Sequence, residues 1–144
     1  MSVHLIKLCV GAEDIEDLRV WQTQRLAERV ARNEPAEIYH ITRMVPTRRE
    51  ELLEGGSLYW VIKGIVRCRQ RLIDIRPFVD DEGIRRCRLV LDPELVATQR
   101  RARRPFQGWR YFDPADAPPD ARAVAGGDDM PEALRTELES LGLL

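Results

Sequence analysis

Gly55-Gly56-Ser57-Leu58-Tyr59-Trp60-Val61-Ile62-Lys63-Gly64-Ile65-Val66-Arg67-Cys68-Arg69-Gln70-Arg71-Leu72-Ile73-Asp74-Ile75-Arg76-Pro77 is the stretch whose reading decides the fold. It opens on a glycine pair suited to a tight turn, where a backbone without Cβ adopts positive φ freely. Leu58, Trp60 and Ile62 then alternate with Tyr59, Val61 and Lys63, and Arg67, Arg69 and Arg71 fall on one side of the same period. Aromatic and β-branched residues at period two predict strand structure. A lone glycine at Gly64 inside such a run reads as a bulge or sharp bend. The expectation is therefore one long, bent ribbon at the centre of a strongly curved sheet or small barrel.

Outward from it, the flanks supply the rest of an α+β domain. Val3 to Val10 alternates with apolar residues on both faces (Val3, Leu5, Lys7 and Cys9 against His4, Ile6, Leu8 and Val10), which predicts a central strand covered on both sides. Glu13, Asp14, Glu16 and Asp17 suit a helix N-terminus, and Ile15, Leu18, Trp21 or Gln22, Arg25 or Leu26, and Val30 follow helical spacing until Asn33-Glu34-Pro35. Glu37 to Val45 alternates as a second strand. Thr47 and Glu50 form a capping-box pattern for a short helix, Arg48 to Leu53, closed by Gly55. Asp80-Asp81-Glu82-Gly83 predicts a turn into a strand from Ile84 to Leu91. Glu94-Leu95-Val96 reads as a helical turn, and Gly108 to Phe112 as a short final strand. Pro131 at the first helical position, with Leu134, Leu138 and Leu141, predicts a C-terminal helix.

The 144 residues, 44% hydrophobic and 33% charged, fit a single globular domain spanning 1–144, with a core at about 3–112, a loop at 113–130 and a terminal helix at 131–144. No apolar run is long enough to span a bilayer, and no secretory signal is visible at the N-terminus, so the expected location is cytoplasmic. Cys9, Cys68 and Cys87 are widely spaced in strand-like contexts and read as small buried hydrophobes. Neither they nor His4 and His40 show zinc-ligand spacing, so no metal or cofactor is expected.

Charge is unevenly placed. Residues 67–110 carry 12 arginines against 6 acids, whereas residues 111–144 carry 8 acids against 2 arginines. Such asymmetry predicts an anionic partner, or a tail that folds back on the basic surface. Arg67, Arg69 and Arg71 on one strand and Arg86 and Arg88 on the next are candidates for phosphate contacts, with Arg103, Arg104 and Trp109 at the rim. An enzymatic alternative uses Lys63, Thr42 and Asp74, which lie near the central ribbon.

His4 to Gly11, Gly55 to Gly64, Gly83 to Pro93 and Arg104 to Tyr111 together resemble a bacterial family known only as domain of unknown function 1489. That likeness implies membership and no activity. Thr42-Arg43, a short helix, the Gly55-led turn, an aromatic strand and the return through Ile73-Asp74-Ile75 are similar to the PUA-like superfamily, with its ASCH and EVE domains. The second resemblance implies a small β-barrel with flanking helices that often binds RNA or a modified base. For some ASCH members it implies amidohydrolysis by a Thr, Lys and acid set. The expected function is thus a non-catalytic binding module for RNA or a nucleotide-like ligand, the alternatives being a small amidohydrolase or a protein-interaction domain.

Overall fold

The computed structural model describes residues 2–121. The expected terminal helix at 131–144, and the second half of the loop before it (122–130), lie outside the described residues. Within them the order is β1 (His4–Leu8), α1 (Ile15–Ala31), β2 (Ile38–Thr42), α2 (Arg49–Leu53), β3 (Ser57–Ile62), β4 (Ile65–Val79), β5 (Arg85–Leu91), β6 (Val96–Ala102) and β7 (Trp109–Phe112). These strands form one curved, unclosed, seven-stranded sheet in the order β2-β5-β4-β3-β1-β7, with β6 also paired to β4.

The ribbon expected to bend at Gly64 is instead a hairpin. Ile62 pairs with Ile65, and both turn residues take positive φ, Lys63 at 52° and Gly64 at 78°. Two left-handed residues give a turn whose twist matches that of the flanking strands, so the chain reverses rather than bends. The bend falls further on, at Ile73. There the β4–β5 register shifts between Leu72 and Asp74, and one residue more on β4 than on β5 turns the strand.

Before that point β4 pairs with β3 on one edge and β6 on the other; after it, β5 takes over the β6 edge. The helical turn expected at Glu94 to Val96 is therefore corrected: Val96 begins a strand. β6 resumes the line of β5 along β4, where the exposed ladder groups of that edge need partners.

The concave face holds the main core: Leu5, Leu58, Trp60, Leu72, Ile75 and Leu89, with Leu18 from α1 and Leu52 from α2. Asp14 caps α1, its Oδ1 accepting from the Asp17 amide at 2.9 Å, so the first-turn acids serve the orphan donors there. Val30, expected in the buried stripe, is 55% exposed, because the contacts of α1 with the sheet core run from Ile15 to Leu26 and stop before the last turn. The expected Thr47 capping box is not formed. Arg48 precedes α2 without a side-chain cap, and the Thr47 amide instead donates to the Tyr111 hydroxyl at 2.8 Å.

Two side chains from β7 bring the open sheet round on itself. Tyr111 accepts from Thr47 and Arg48, and Trp109 Nε1 donates to the Met44 carbonyl at 2.9 Å, so β7 meets the segment that follows β2 without a backbone ladder. Gly56 is required beneath this seam. A Cβ there would sit 2.3 Å from the Leu52 carbonyl oxygen and 2.4 Å from that of Val3.

Candidate functional site

Each arginine of the predicted patch has a definite place, and the sheet divides them. Arg69 forms a fork with Asp120, at 2.7 and 2.8 Å, and also reaches the Ser57 hydroxyl. Its guanidinium holds the Asp120 carboxyl below the usual carboxylate range. The Gln99 amide donates to the Pro119 carbonyl, and Arg101 donates to that of Asp116. Residues 116–120 thus lie back on the convex basic face; the acids beyond them in the expected tail lie outside the described residues.

Arg86 pairs with Asp80, and Arg88 lies over the rings of Tyr39 and Phe78. Arg88 is opposite Arg76 in register, so it sits five positions along β4 from Arg71, roughly 16 Å at strand rise. Arg67, Arg69 and Arg71 alternate with buried Cys68, Gln70 and Leu72, and the β4–β3 register shift falls just before them, between Val61↔Val66 and Trp60↔Cys68. Arg71, Arg103 and Arg104 are exposed, and the Arg103 guanidinium lies 5.5 Å from the Phe112 ring centre. Trp109, expected at a rim, is 5% exposed and committed to Met44.

Thr42, Lys63 and Asp74 are not brought together. Buried Thr42 donates to the Met44 carbonyl, and Lys63 sits at the exposed hairpin turn, paired with Glu13. Asp74 lies past the bend, bound by Arg49 and Arg76.

Cations without carboxylates gather on the other face. Lys7 shares the inward side of β1 with Leu5 and Cys9, in register between Trp60 of β3 and Trp109 of β7. It opens into a cavity of about 180 Å³ between α1 and strands β1, β2 and β3, lined among others by Trp21, Gln22, Arg25, His40 and Trp60. No Asp or Glu lines it. Among the described residues, neither Lys7 nor Arg25 has a hydrogen bond or a carboxylate partner. Outside it lies a second hollow of about 370 Å³ that shares Arg25, Arg29, Tyr39 and His40 and adds Arg32, Glu28 and Glu34.

The walls are fixed by satisfied polar groups. Trp60 Nε1 donates to Gln70 Oε1 at 2.9 Å, and Gln70, wholly buried, exchanges amide bonds with Gln22 of α1 and donates to the Asp92 carbonyl. Arg29 donates to the Glu37 carbonyl and covers Tyr39 with its guanidinium 3.7 Å from the ring centre, which fastens α1 to the β2 edge. The His40 ring meets Trp60 edge-on, centroids 5.3 Å apart.

Burial, with the charges of Lys7 and Arg25, lowers His40 to about 4, so it is a neutral imidazole at pH 7. Burial likewise holds the Lys7 ammonium below its ordinary value. It pushes the Cys9 thiol up to about 11, leaving an inert protonated thiol at the back of the cavity. The cavity thus combines aromatic walls and unpaired cations with a lining that holds no carboxylate, a chemistry complementary to a planar anion.

Lys7, Trp21 and Arg25 were not predicted as site residues, and His40 was read as structural. The signal present for Lys7 was a single charge on the inward face of a central apolar strand, where an unpaired ion is costly and so informative.

A family model described as "Protein of unknown function (DUF1489)" matches residues 5–144, and the chain belongs to that family. Neither a curated protein nor a solved structure matches it. No helix among the described residues is long and apolar enough to cross a membrane.

Proposed function

We propose that this member of the DUF1489 family is a binding module for RNA or a nucleotide-like ligand, holding one base-sized ring in the cavity beneath α1 with phosphate at its mouth. The observation that carries the reading is the convergence of Lys7, Arg25 and neutral His40 on an aromatic-walled cavity with no carboxylate in its lining. A space of about 180 Å³ suits a single ring system, since an apolar cavity of about 150 Å³ already takes up benzene. Trp21 and His40 offer stacking surfaces with Trp60 as the wall behind them, and Arg25, which lines both the cavity and the outer hollow, is the cation for a phosphate there, Arg32 being paired with Glu34. The similarity to PUA-like domains supports the same ligand class and a PUA-like reading of the curved sheet. On the convex face Arg69 and Arg86 are already neutralised, so affinity is assigned to the cavity.

Tryptophan fluorescence titrated with mononucleotides, and anisotropy of short single-stranded RNA at two salt concentrations, test this reading. Micromolar binding that weakens with salt and falls about tenfold or more in Lys7→Met is expected, the scale of one lost hydrogen bond to a charged group. No binding at low salt overturns it.

A further inference from the structure

We propose that Lys7 is a reactive amine that captures a small, planar, anionic aldehyde or ketone as an imine inside the cavity beneath α1. This rests on the cavity being the ligand site and adds a covalent step to it. The chain has two lysines, and their surroundings are opposite. Lys63 is exposed at the β3–β4 turn and paired with Glu13. Lys7 is half-buried on the inward face of β1, between two tryptophans in register, and no carboxylate lines the space into which it opens.

The groups around that space are Cys9 on β1, His40 on β2, and Arg25 and Arg29 on α1, with Asp17 of α1 near the Cys9 thiol. Two arginines favour an anionic guest, and burial disfavours the Lys7 ammonium. A desolvated lysine in an aromatic pocket holds more of its amine in the free, nucleophilic form at neutral pH than an exposed lysine does.

The step balances without any oxidant or reductant. The amine nitrogen of Lys7 attacks the carbonyl carbon, and the carbonyl π electrons move to oxygen. A proton passes from nitrogen to that oxygen, for which neutral His40 is the relay facing the site. The resulting carbinolamine loses its hydroxyl as water and leaves a C=N bond. Water returning to that bond releases the carbonyl compound and restores the amine. The cavity admits a ring of one-base size, and Arg25 favours a phosphate or carboxylate on it.

Pyridoxal 5′-phosphate, a planar aldehyde with a phosphate, is the probe. The intact chain is incubated with it, reduced with sodium borohydride and mapped by peptide mass spectrometry, in the presence and absence of a mononucleotide. Adduct at Lys7 at least about tenfold above that at Lys63, with its onset at lower pH, is the expected result. It is lost in Lys7→Arg, whose fold is checked by circular dichroism. Adduct confined to Lys63, or equal on both lysines, overturns the inference.

Nucleotide quenching of tryptophan fluorescence without any Lys7 adduct retires the imine and leaves the cavity reading standing. A Lys7 adduct that no nucleotide displaces keeps the reactive amine and retires the nucleotide reading. Absence of both adduct and quenching removes the two together.

Discussion

The two basic regions of this molecule are built from the same kind of residue and end in opposite states. On the convex face, arginines at strand spacing meet carboxylates: Arg69 with Asp120, Arg86 with Asp80, and Arg76 with Asp74 and Glu37. On the concave face, Lys7 and Arg25 border a cavity whose lining holds no acid, beside a histidine kept neutral. Solvated ion pairs in high dielectric contribute little, so a sheet carries many of them cheaply. A half-buried cation without a partner is costly, and it persists where a ligand or the chemistry uses it. Charge density alone points to the convex face, whereas unbalanced charge points to the cavity.

The sharpest structural break of this contrast is Trp60→Ala, which removes the wall shared by cavity and core. Truncation of a fully buried tryptophan is expected to cost about 3–5 kcal/mol, measured by urea unfolding. The exposed Arg71→Ala on the convex face is expected to stay within about 0.5 kcal/mol.

Next comes pH. His40 titrates at about 4 when folded and near the ordinary 6.5 when unfolded, so between those values the unfolded chain binds the extra proton. Stability is fully present above pH 6.5 and is lost as pH falls towards 4, by on the order of 2–3 kcal/mol. His40→Gln should flatten that part of the profile relative to the parent chain; an unchanged difference between the two contradicts the buried neutral imidazole.

Lys7→Met should weaken nucleotide binding about tenfold, roughly 1.4 kcal/mol, while leaving stability level or slightly raised because an uncompensated cation is gone. Arg104→Ala, read in the same titration, should change affinity less than about twofold. A modest effect is expected at the part-buried Arg69–Asp120 fork. A double-mutant cycle there should give a coupling of about 1 kcal/mol that shrinks with salt.

Most of the architecture was legible because the strands advertise themselves by period two, and Asp14 and Asn33-Glu34-Pro35 bracket α1 by local chemistry. What escaped depended on neighbours distant in sequence. Gly64 is equally good for a bend and for a two-residue turn, and only the pairing of Ile62 with Ile65 decides between them. Val96 lies on a strand because β4 offers it an open edge, which Glu94-Leu95-Val96 does not announce. The β3–β4 register shift before Cys68 also escaped, since bulges have no spacing signature of their own. The cavity was hidden for a similar reason: Lys7, Arg25 and His40 come from three elements, and the packing of α1 between β1 and β2, not their spacing, brings them to one place. The fold-back of residues 116–120 was foreshadowed by charge alone.

Hydrogen exchange read by mass spectrometry, with and without a saturating mononucleotide, separates the two faces most directly. The account predicts slowed exchange in β1, β2 and the half of α1 that carries Trp21 and Arg25, with β6 and the Arg67 to Arg71 segment unchanged. Protection centred on Arg67 to Arg71 and Arg100 to Arg104, with the α1 cavity unaffected, would contradict it.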